Sequence, residues 1–432
     1  MKKINQLYLK FKGPILYSGG SISKAVAQSI VGFVVVKYVT PEDFGLWSTI
    51  NLALTYSLFI QAGLINGLNR ELPFLYGKGR VQEANKMAGT VQTFTLYSSL
   101  LVLLLGGSFL LITTPQNSKY SYGIVAITIL ISLNYYQNYL SSTYRSRDSF
   151  ISLSKLQLIH AITNLLTLVF VFYLAYYGLI LKAIVVSIVY VGFMHLSRPV
   201  RVGLLWNKKD FIKLLKVGFP IFSLAFIENI ASTTDKILLL KYSDMEQLGF
   251  YAFGYYAFTS FSIFPSSIAS YIYPNMSFIY GKSNNKLIIW NYSKKITVLL
   301  LIILTPIAIF GALLCPIIIE KYFPNYISSA TIMQVLIIAG VFSGSVISVN
   351  SLWSLKSWKY MVQYQIGFSL LLIFCPIIGI KIFESKIMGA SIGVLVAHII
   401  NLFSGIMFIY LATHDDFTFI NFRRRKRINR NL

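Results

Sequence analysis

Three basic side chains lie inside stretches that are otherwise apolar enough to cross a bilayer: Lys24, Arg70 and Lys236. A charge at the centre of a membrane costs roughly 2.5–3.5 kcal/mol, so such residues generally face a water-filled cavity or a partner group. Cationic side chains in a cavity attract anions such as phosphate. The three residues are therefore candidates for binding an anionic substrate. The alternatives are an ion pair with Glu71 for Arg70, and snorkelling towards the membrane surface for Lys236.

Lys24 belongs to a polar stripe on the first apolar stretch. The stripe consists of Tyr17, Ser21, Lys24 and Gln28. Spacings of four, three and four residues place these side chains on one helical face. Such a face on a membrane helix meets water or other helices rather than lipid. We expect the stripe to line a cavity, and the alternative is a lysine whose charge is satisfied by packed neighbours.

The second half of the chain carries an acidic counterpart to this stripe. Adding 204 to a residue number maps Lys24 onto Glu228, and Ser232 and Asp235 share the helical face of Glu228. If the halves face each other, Lys24 and Glu228 would lie on opposite walls, with Ser232 also lining the cavity. Buried carboxylates can bind protons or sodium, so Glu228 and Asp235 are candidates for coupling or gating.

Motifs for other chemistry are missing from the sequence. It contains no phosphate-binding loop, no GxSxG and no metal-ligand cluster. His160, His195 and His398 are scattered over three apolar stretches without a partner at ligand spacing, so we interpret them as helix–helix hydrogen-bonding groups. The sequence therefore predicts no metal, no cofactor and no enzymatic activity.

One predicted span is unusually rich in amide and phenol groups. The segment Asn134–Tyr139 reads NYYQNY. Such groups suit sugar binding, and they equally suit helix packing.

Composition places the chain in a lipid bilayer. Hydrophobic residues make up 56%, charged residues 12%, and the mean hydropathy is +0.66. Soluble domains carry roughly 25% charged residues. The net charge of +24 would also suit nucleic acid, but no segment resembles a soluble domain that could present a basic face. No cleaved signal peptide is evident.

About twelve spans can be assigned from apolar runs of about 20 residues. They cover roughly 14–37, 45–72, 89–113, 123–144, 154–177, 179–197, 216–240, 248–274, 296–318, 328–354, 362–382 and 387–412. Loops on one side carry 28 of the 38 Lys and Arg residues, and those on the other side carry 7, Lys182 among them. The positive-inside bias then places both termini in the cytoplasm.

A sequence repeat divides the chain into halves. The shift of 204 aligns KYVTPEDFGLW from Lys37 with KYSDMEQLGFY from Lys241, and FLYGKG from Phe74 with FIYGKS from Phe278. We predict an all-α integral membrane protein with two pseudo-symmetric six-helix lobes around a central cavity. The predicted parts are an N-terminal lobe (1–197), a cytoplasmic amphipathic linker (198–215), a C-terminal lobe (216–412) and a basic cytoplasmic tail (413–432) that anchors to anionic lipid.

These motifs resemble the polysaccharide-transporter flippases of the multidrug/oligosaccharidyl-lipid/polysaccharide exporter superfamily. The resemblance rests on KYVTPEDFGLW, on LNRELPFLYGKG at the end of the second span, and on TTDKILLLKYSDMEQLGFYAF in the seventh and eighth spans. It implies V-shaped lobes and alternating access. The drug-exporting branch of the superfamily typically has an acidic residue in its first span, where this chain has Lys24.

The resemblance also implies a function. Family substrates are undecaprenyl-pyrophosphate-linked oligosaccharides, moved from the inner to the outer leaflet of the bacterial cytoplasmic membrane for O-antigen, capsule or exopolysaccharide synthesis. The implied partners are this lipid-linked oligosaccharide, bilayer lipids, polysaccharide polymerases and glycosyltransferases, but not nucleic acid. The alternatives are a cation-coupled multidrug exporter and a membrane polysaccharide polymerase or ligase.

Overall fold

The secondary structure is helical throughout the residues that the structure describes. The computed structural model describes the backbone of residues 2–113 and 117–414, and side chains from residue 19 onward within those ranges except 270, 271, 273 and 274. The predicted basic tail lies almost entirely outside the described residues. The helices are α1 (Lys2–Tyr38), α2 (Pro41–Ser57), α3 (Leu64–Gly77), α4 (Val81–Thr113), α5 (Ser118–Ser146), α6 (Phe150–Leu166), α7 (Leu168–Leu196), α8 (Lys208–Ala231), α9 (Thr234–Tyr242), α10 (Met245–Ser283), α11 (Lys286–Tyr322), α12 (Ser329–Ser345), α13 (Asn350–Ser354), α14 (Trp358–Ile382) and α15 (Lys386–His414).

Each predicted span coincides with one of these helices, with a broken pair of them, or with one side of the kink in α7. By length and composition alone, seven described helices could cross a membrane, or eight if α2 and α3 form one bent span. The remaining predicted crossings are α5, α6 with the start of α7, α8 with α9, and α10, which are more polar or interrupted. The prediction of an all-α membrane protein is confirmed.

The repeated motif folds as two matching helix starts. Thr40 accepts a hydrogen bond from the Asp43 backbone N–H at the start of α2, where Pro41 occupies the first turn. At the equivalent position, Asp244 accepts one from the Gln247 N–H and caps α10. Capping groups of this kind satisfy backbone donors that have no intrahelical partner. The repeat thus specifies where the second span of each lobe begins.

The two lobes meet where α2 crosses α10. Gly45 and its repeat partner Gly249 lie at the crossing, and a Cβ on Gly45 would overlap the carbonyl oxygen of Met245. Likewise, a Cβ on Gly249 would overlap the carbonyl oxygen of Pro41. Only glycine permits this approach of two backbones, so the repeat-related glycines fix the contact between the lobes.

A second contact joins α3 to α8. The bend of 56° between α2 and α3 occurs at Ala62 and Gly63, both with positive φ. Gly63 and Gly67 then pack against the α8 backbone at Gly218 and Leu214. The helix α8 begins at Lys208, so the part of the predicted linker from there onward forms the first turns of a helix that continues into the C-terminal lobe.

Candidate functional site

A central cavity of about 690 Å³ lies between the lobes. Helices α1, α2, α5, α6 and α7 form one wall, and the α8–α9 break together with α10 forms the other. Broken helices at membrane depth are tolerated where they line water or protein, and they commonly flank binding sites. The polar or aromatic lining residues are Gln28, Ser29, Phe44, Trp47, Ser48, Asn51, Thr55, Asn134, Gln137, His160, Asn164, Lys182, Ser187, Thr233, Lys236, Tyr255, Tyr256 and Thr259.

Two lysines supply the charge of the central cavity, one from each lobe. Lys182 of α7 donates a hydrogen bond to Asn164 Oδ1 over 2.5 Å. Lys236 of α9 holds its ammonium group 4.0 Å from the ring centroid of Tyr255, a cation–π distance. The described residues that line the cavity include no carboxylate. An anion entering the cavity therefore meets two cations and no like charge.

The expectation that Lys182 lies in a loop on the outer side is wrong. Helix α7 is kinked at Ala175, which has non-helical φ and ψ, so the loop between the fifth and sixth spans lies before Lys182. The lysine is 7% exposed and lines the central cavity. The signal available in the sequence was a single lysine inside the apolar run GLILKAIVV.

Lys24 lies beside the central cavity rather than in its lining. Its ammonium group is 4.8 Å from the ring centroid of Tyr190 on α7. Ser21 accepts a hydrogen bond from Gln157 of α6 over 3.0 Å, and Gln28 lines the central cavity. The side chain of Tyr17 lies outside the described residues. The polar stripe of α1 thus faces α6 and α7 at one end and the cavity at the other.

Arg70 is exposed in the middle of α3 and does not line the central cavity. Its neighbour Glu71 forms an ion pair with Lys213 of α8 at 2.9 Å. This ion pair joins the lobes beside the Gly67–Leu214 contact. The predicted alternative of an ion pair between Arg70 and Glu71 does not appear among the described ion pairs.

Glu228 and Asp235 lie in a second cavity, of about 280 Å³, inside the C-terminal lobe. Glu228 accepts a hydrogen bond from Gln365 of α14 over 2.6 Å. Asp235 is 3% exposed and accepts hydrogen bonds from the Tyr251 hydroxyl and the Lys236 backbone N–H. Ser232 lines the same cavity.

The predicted approach of Lys24 to Glu228 is not seen in this conformation. Lys24 packs against Tyr190 in the N-terminal lobe, whereas Glu228 faces the cavity in the other lobe. The structure does bring Asp235 and Lys236 to the partition between the two cavities, since Lys236 lines the central one and Asp235 lines the second.

The central cavity is sealed on its predicted outer side. Phe44 packs against the rings of Tyr256 and Tyr326, and the Tyr326 hydroxyl donates to the Val39 carbonyl over 2.9 Å. Polar contacts between the lobes also occur further along the helices, away from the outer ends, between Tyr56 and Thr233 at 2.6 Å and between Ser29 and Ser260 at 3.0 Å. The contacts of Phe44 and Val39 with Tyr326 hold the lobes together on the predicted outer side.

An ion pair reinforces the same face. Lys119, at the start of α5, lies 2.6 Å from Asp43 in the first turn of α2. The hydrogen bond to Asp43 raises the pKa of the Lys119 ammonium above its ordinary value. The lysine therefore stays charged at neutral pH.

The sequence profile of the polysaccharide biosynthesis protein family matches residues 34–326. The chain belongs to this family. The match includes both repeat motifs at the starts of α2 and α10, the glycines at their crossing, and Lys182 and Lys236. No curated protein sequence matches the chain.

Solved structures with the same fold are membrane transporters. An inward-facing multidrug resistance transporter of the MATE family in the MOP superfamily is 13% identical, with a TM-score of 0.67, covering 91% of this chain and 96% of that one. The lipid II flippase MurJ in an inward closed conformation is 16% identical, with a TM-score of 0.67, covering 92% and 90%. The Vibrio cholerae MATE transporter VcmN in its bent form is 15% identical, with a TM-score of 0.57, covering 93% and 96%. These likenesses confirm the two-lobed, multi-pass fold.

Proposed function

We propose that this protein is a flippase for undecaprenyl-diphosphate-linked oligosaccharides in surface polysaccharide synthesis, whether O-antigen, capsule or exopolysaccharide. The observation that carries the proposal is a central cavity with a lysine from each lobe and no carboxylate among its described lining residues. Membership in the polysaccharide biosynthesis family supports it. The two-lobed fold, which is also that of a lipid II flippase, is consistent with it.

Physical chemistry makes a cationic passage necessary for such a substrate. A diphosphate crossing bare hydrocarbon would lose its hydration at a prohibitive cost. Lys182, Lys236 and cavity water can replace that hydration with charge-assisted hydrogen bonds. The polyprenyl chain can meanwhile remain in the bilayer. Rocking of the lobes would then open the site to each membrane face in turn.

The alternatives fit the cavity less well. A drug exporter for cationic compounds would bring its substrate against two lysines with no carboxylate to balance them. A polymerase or ligase would need catalytic residues in a sizeable outer segment, and the connections between described helices on the predicted outer face are short. We therefore propose a transporter that performs no covalent chemistry.

The proposed setting is the bacterial cytoplasmic membrane with both termini in the cytoplasm. The two lobes are proposed to move as the units 1–197 and 216–412. Polysaccharide polymerases and glycosyltransferases are proposed partners, because they would consume and supply the transported lipid.

Reconstitution tests this function directly. Proteoliposomes containing the full chain should move undecaprenyl diphosphate bearing a fluorescent glycan from one leaflet to the other, measured by protection of the glycan from a membrane-impermeant quencher. Ethidium transport in the same vesicles is the comparison. Dye transport without lipid transport would contradict the proposal and support the drug-exporter alternative.

We further propose that Glu228 couples transport to a proton or sodium gradient. Its carboxylate lies in the C-terminal lobe cavity within hydrogen-bonding distance of Gln365, and Asp235 lies near the partition towards Lys236. A cation bound there would change the charge next to the central cavity without entering it.

In the variant Glu228→Gln, the acceleration of flipping by an imposed gradient should therefore be about tenfold smaller than in wild type. The variant should still bind the lipid. The measurement is the flipping rate with and without a proton or sodium gradient. Glu246→Gln, on the exposed start of α10, is the matched control and should keep the gradient response. An unchanged gradient response in Glu228→Gln would exclude this carboxylate as the coupling group.

A further inference from the structure

Amide side chains are concentrated on one wall of the central cavity. Five of them line it, all from the N-terminal lobe: Gln28, Asn51, Asn134, Gln137 and Asn164. The part of the C-terminal lobe that lines the cavity contributes tyrosines and hydroxyl groups instead, with Lys236. The two walls thus differ in chemistry although the lobes share a fold.

The amides of α2 and α5 keep free hydrogen-bonding groups towards the cavity. Asn134 accepts from the Asn138 amide at 3.0 Å, which leaves its own two N–H donors available. Asn51 donates to the Trp47 carbonyl at 2.7 Å, which leaves its carbonyl oxygen. The side chain of Gln137 forms no hydrogen bond with any described residue. Together these groups offer donors and acceptors side by side, the combination that hydroxyl and acetamido groups require.

Helix packing does not require these amides. Asn134 and Gln137 lie three residues apart on α5, on one helical face with Leu130. The constant shift of 204 maps them onto Ile338 and Val341 of α12, and the stretch from 335 to 342 has no polar side chain. The equivalent stretch of α12 therefore packs in the other lobe with apolar residues alone. Free amides at membrane depth are costly unless they face water or a ligand.

Aromatic rings line the central cavity on both walls. Trp47 and Asn51 are four residues apart on α2 and both line the central cavity. Tyr255 and Tyr256 lie on the facing wall of α10. An aromatic face packs against the C–H groups of a sugar ring, and neighbouring amides bind its hydroxyl groups. A site with both surfaces therefore suits an amphipathic ligand such as a sugar.

We propose that Asn134 and Gln137, with Asn51 and Trp47, form a glycan subsite that binds the first sugar next to the diphosphate. The lysines hold the diphosphate, and the amide wall selects lipids that carry a sugar over lipids that do not. This inference rests on the proposed function, because it assigns a second part of the same substrate to the same cavity.

Binding of two lipids to the full chain in nanodiscs tests the subsite. The probes are undecaprenyl diphosphate and the same lipid carrying one N-acetylhexosamine. Wild type should bind the sugar-bearing lipid about tenfold more tightly. The near-isosteric double variant Asn134→Leu/Gln137→Met should lose that preference, to within about twofold, and keep its affinity for the bare lipid.

Gln334→Met is the matched control. Its amide bonds to the Ala312 carbonyl at 2.9 Å on α12, away from the central cavity, so the sugar preference should persist. Equal binding of both lipids by wild type would overturn the glycan subsite while the proposed function stands. Binding of neither lipid by wild type would instead refute the proposed function. A double variant that loses the bare lipid as well would overturn the separation of the two parts.

Discussion

The double variant Lys182→Met/Lys236→Met should translocate the lipid-linked diphosphate at least about 100-fold more slowly than wild type. A hydrogen bond to a charged group contributes about 1.5–3 kcal/mol, and each 1.4 kcal/mol is a factor of ten. Losing two such donors in a cavity that offers the phosphate no other described lysine or arginine should remove most of the binding. Each single variant should lose about tenfold or more.

The comparison variants separate site charge from total charge. Lys241→Met removes an exposed cation at the end of α9 and should leave the rate unchanged. Lys24→Met removes the ammonium packed on Tyr190, so its effect reports whether that group reaches the substrate in another conformation. The flipping assay measures all variants, with membrane insertion checked by fluorescence-detected chromatography. Wild-type rates in the double variant would remove both lysines from the substrate site.

The contrast between Lys24 and Lys182 shows where sequence reasoning succeeds and where it fails. Helical spacing placed Lys24 on a polar face, and that face does meet other helices and the cavity. Helical periodicity does not show which neighbouring helix packs against each turn. It therefore could not predict that Gln28 lines the cavity whereas Lys24 packs beside it. Lys182 was misplaced because the loop position depends on the kink at Ala175, an alanine with no sequence signature for positive φ.

The repeat was more informative than the hydropathy profile. It located Gly45 and Gly249, and local capping chemistry explains why α2 and α10 begin where they do. It did not predict that these two glycines contact each other's helices, because a contact between lobes is a tertiary property. The bend after α2 was equally hidden, and the GxxxG sequence at Gly63 and Gly67 forms the close helix contact that such a motif permits.

Substitution of Gly45 should have the second large effect on transport, because the crossing of α2 and α10 closes the predicted outer face. In Gly45→Val, the added side chain would overlap the Met245 backbone, which cannot move aside as a flexible side chain can. The lobes should therefore fail to close on this side, and the sealing contacts of Phe44 and Tyr326 should open. A transporter that cannot close one gate cannot complete its cycle, so translocation should fall at least about tenfold while binding persists.

Cysteine labelling measures the open gate directly. The variant Thr55→Cys places a thiol in the lining of the central cavity. This thiol should react faster with an impermeant maleimide added from the outer face when Gly45→Val is also present than when it is absent. Gly249→Val should behave alike, since the two glycines are equivalent in the crossing. Gly192→Val is the control, because the space around Gly192 of α7 is open. Unchanged labelling with lost transport would show that the crossing acts on folding or on another step rather than on closure of the outer gate.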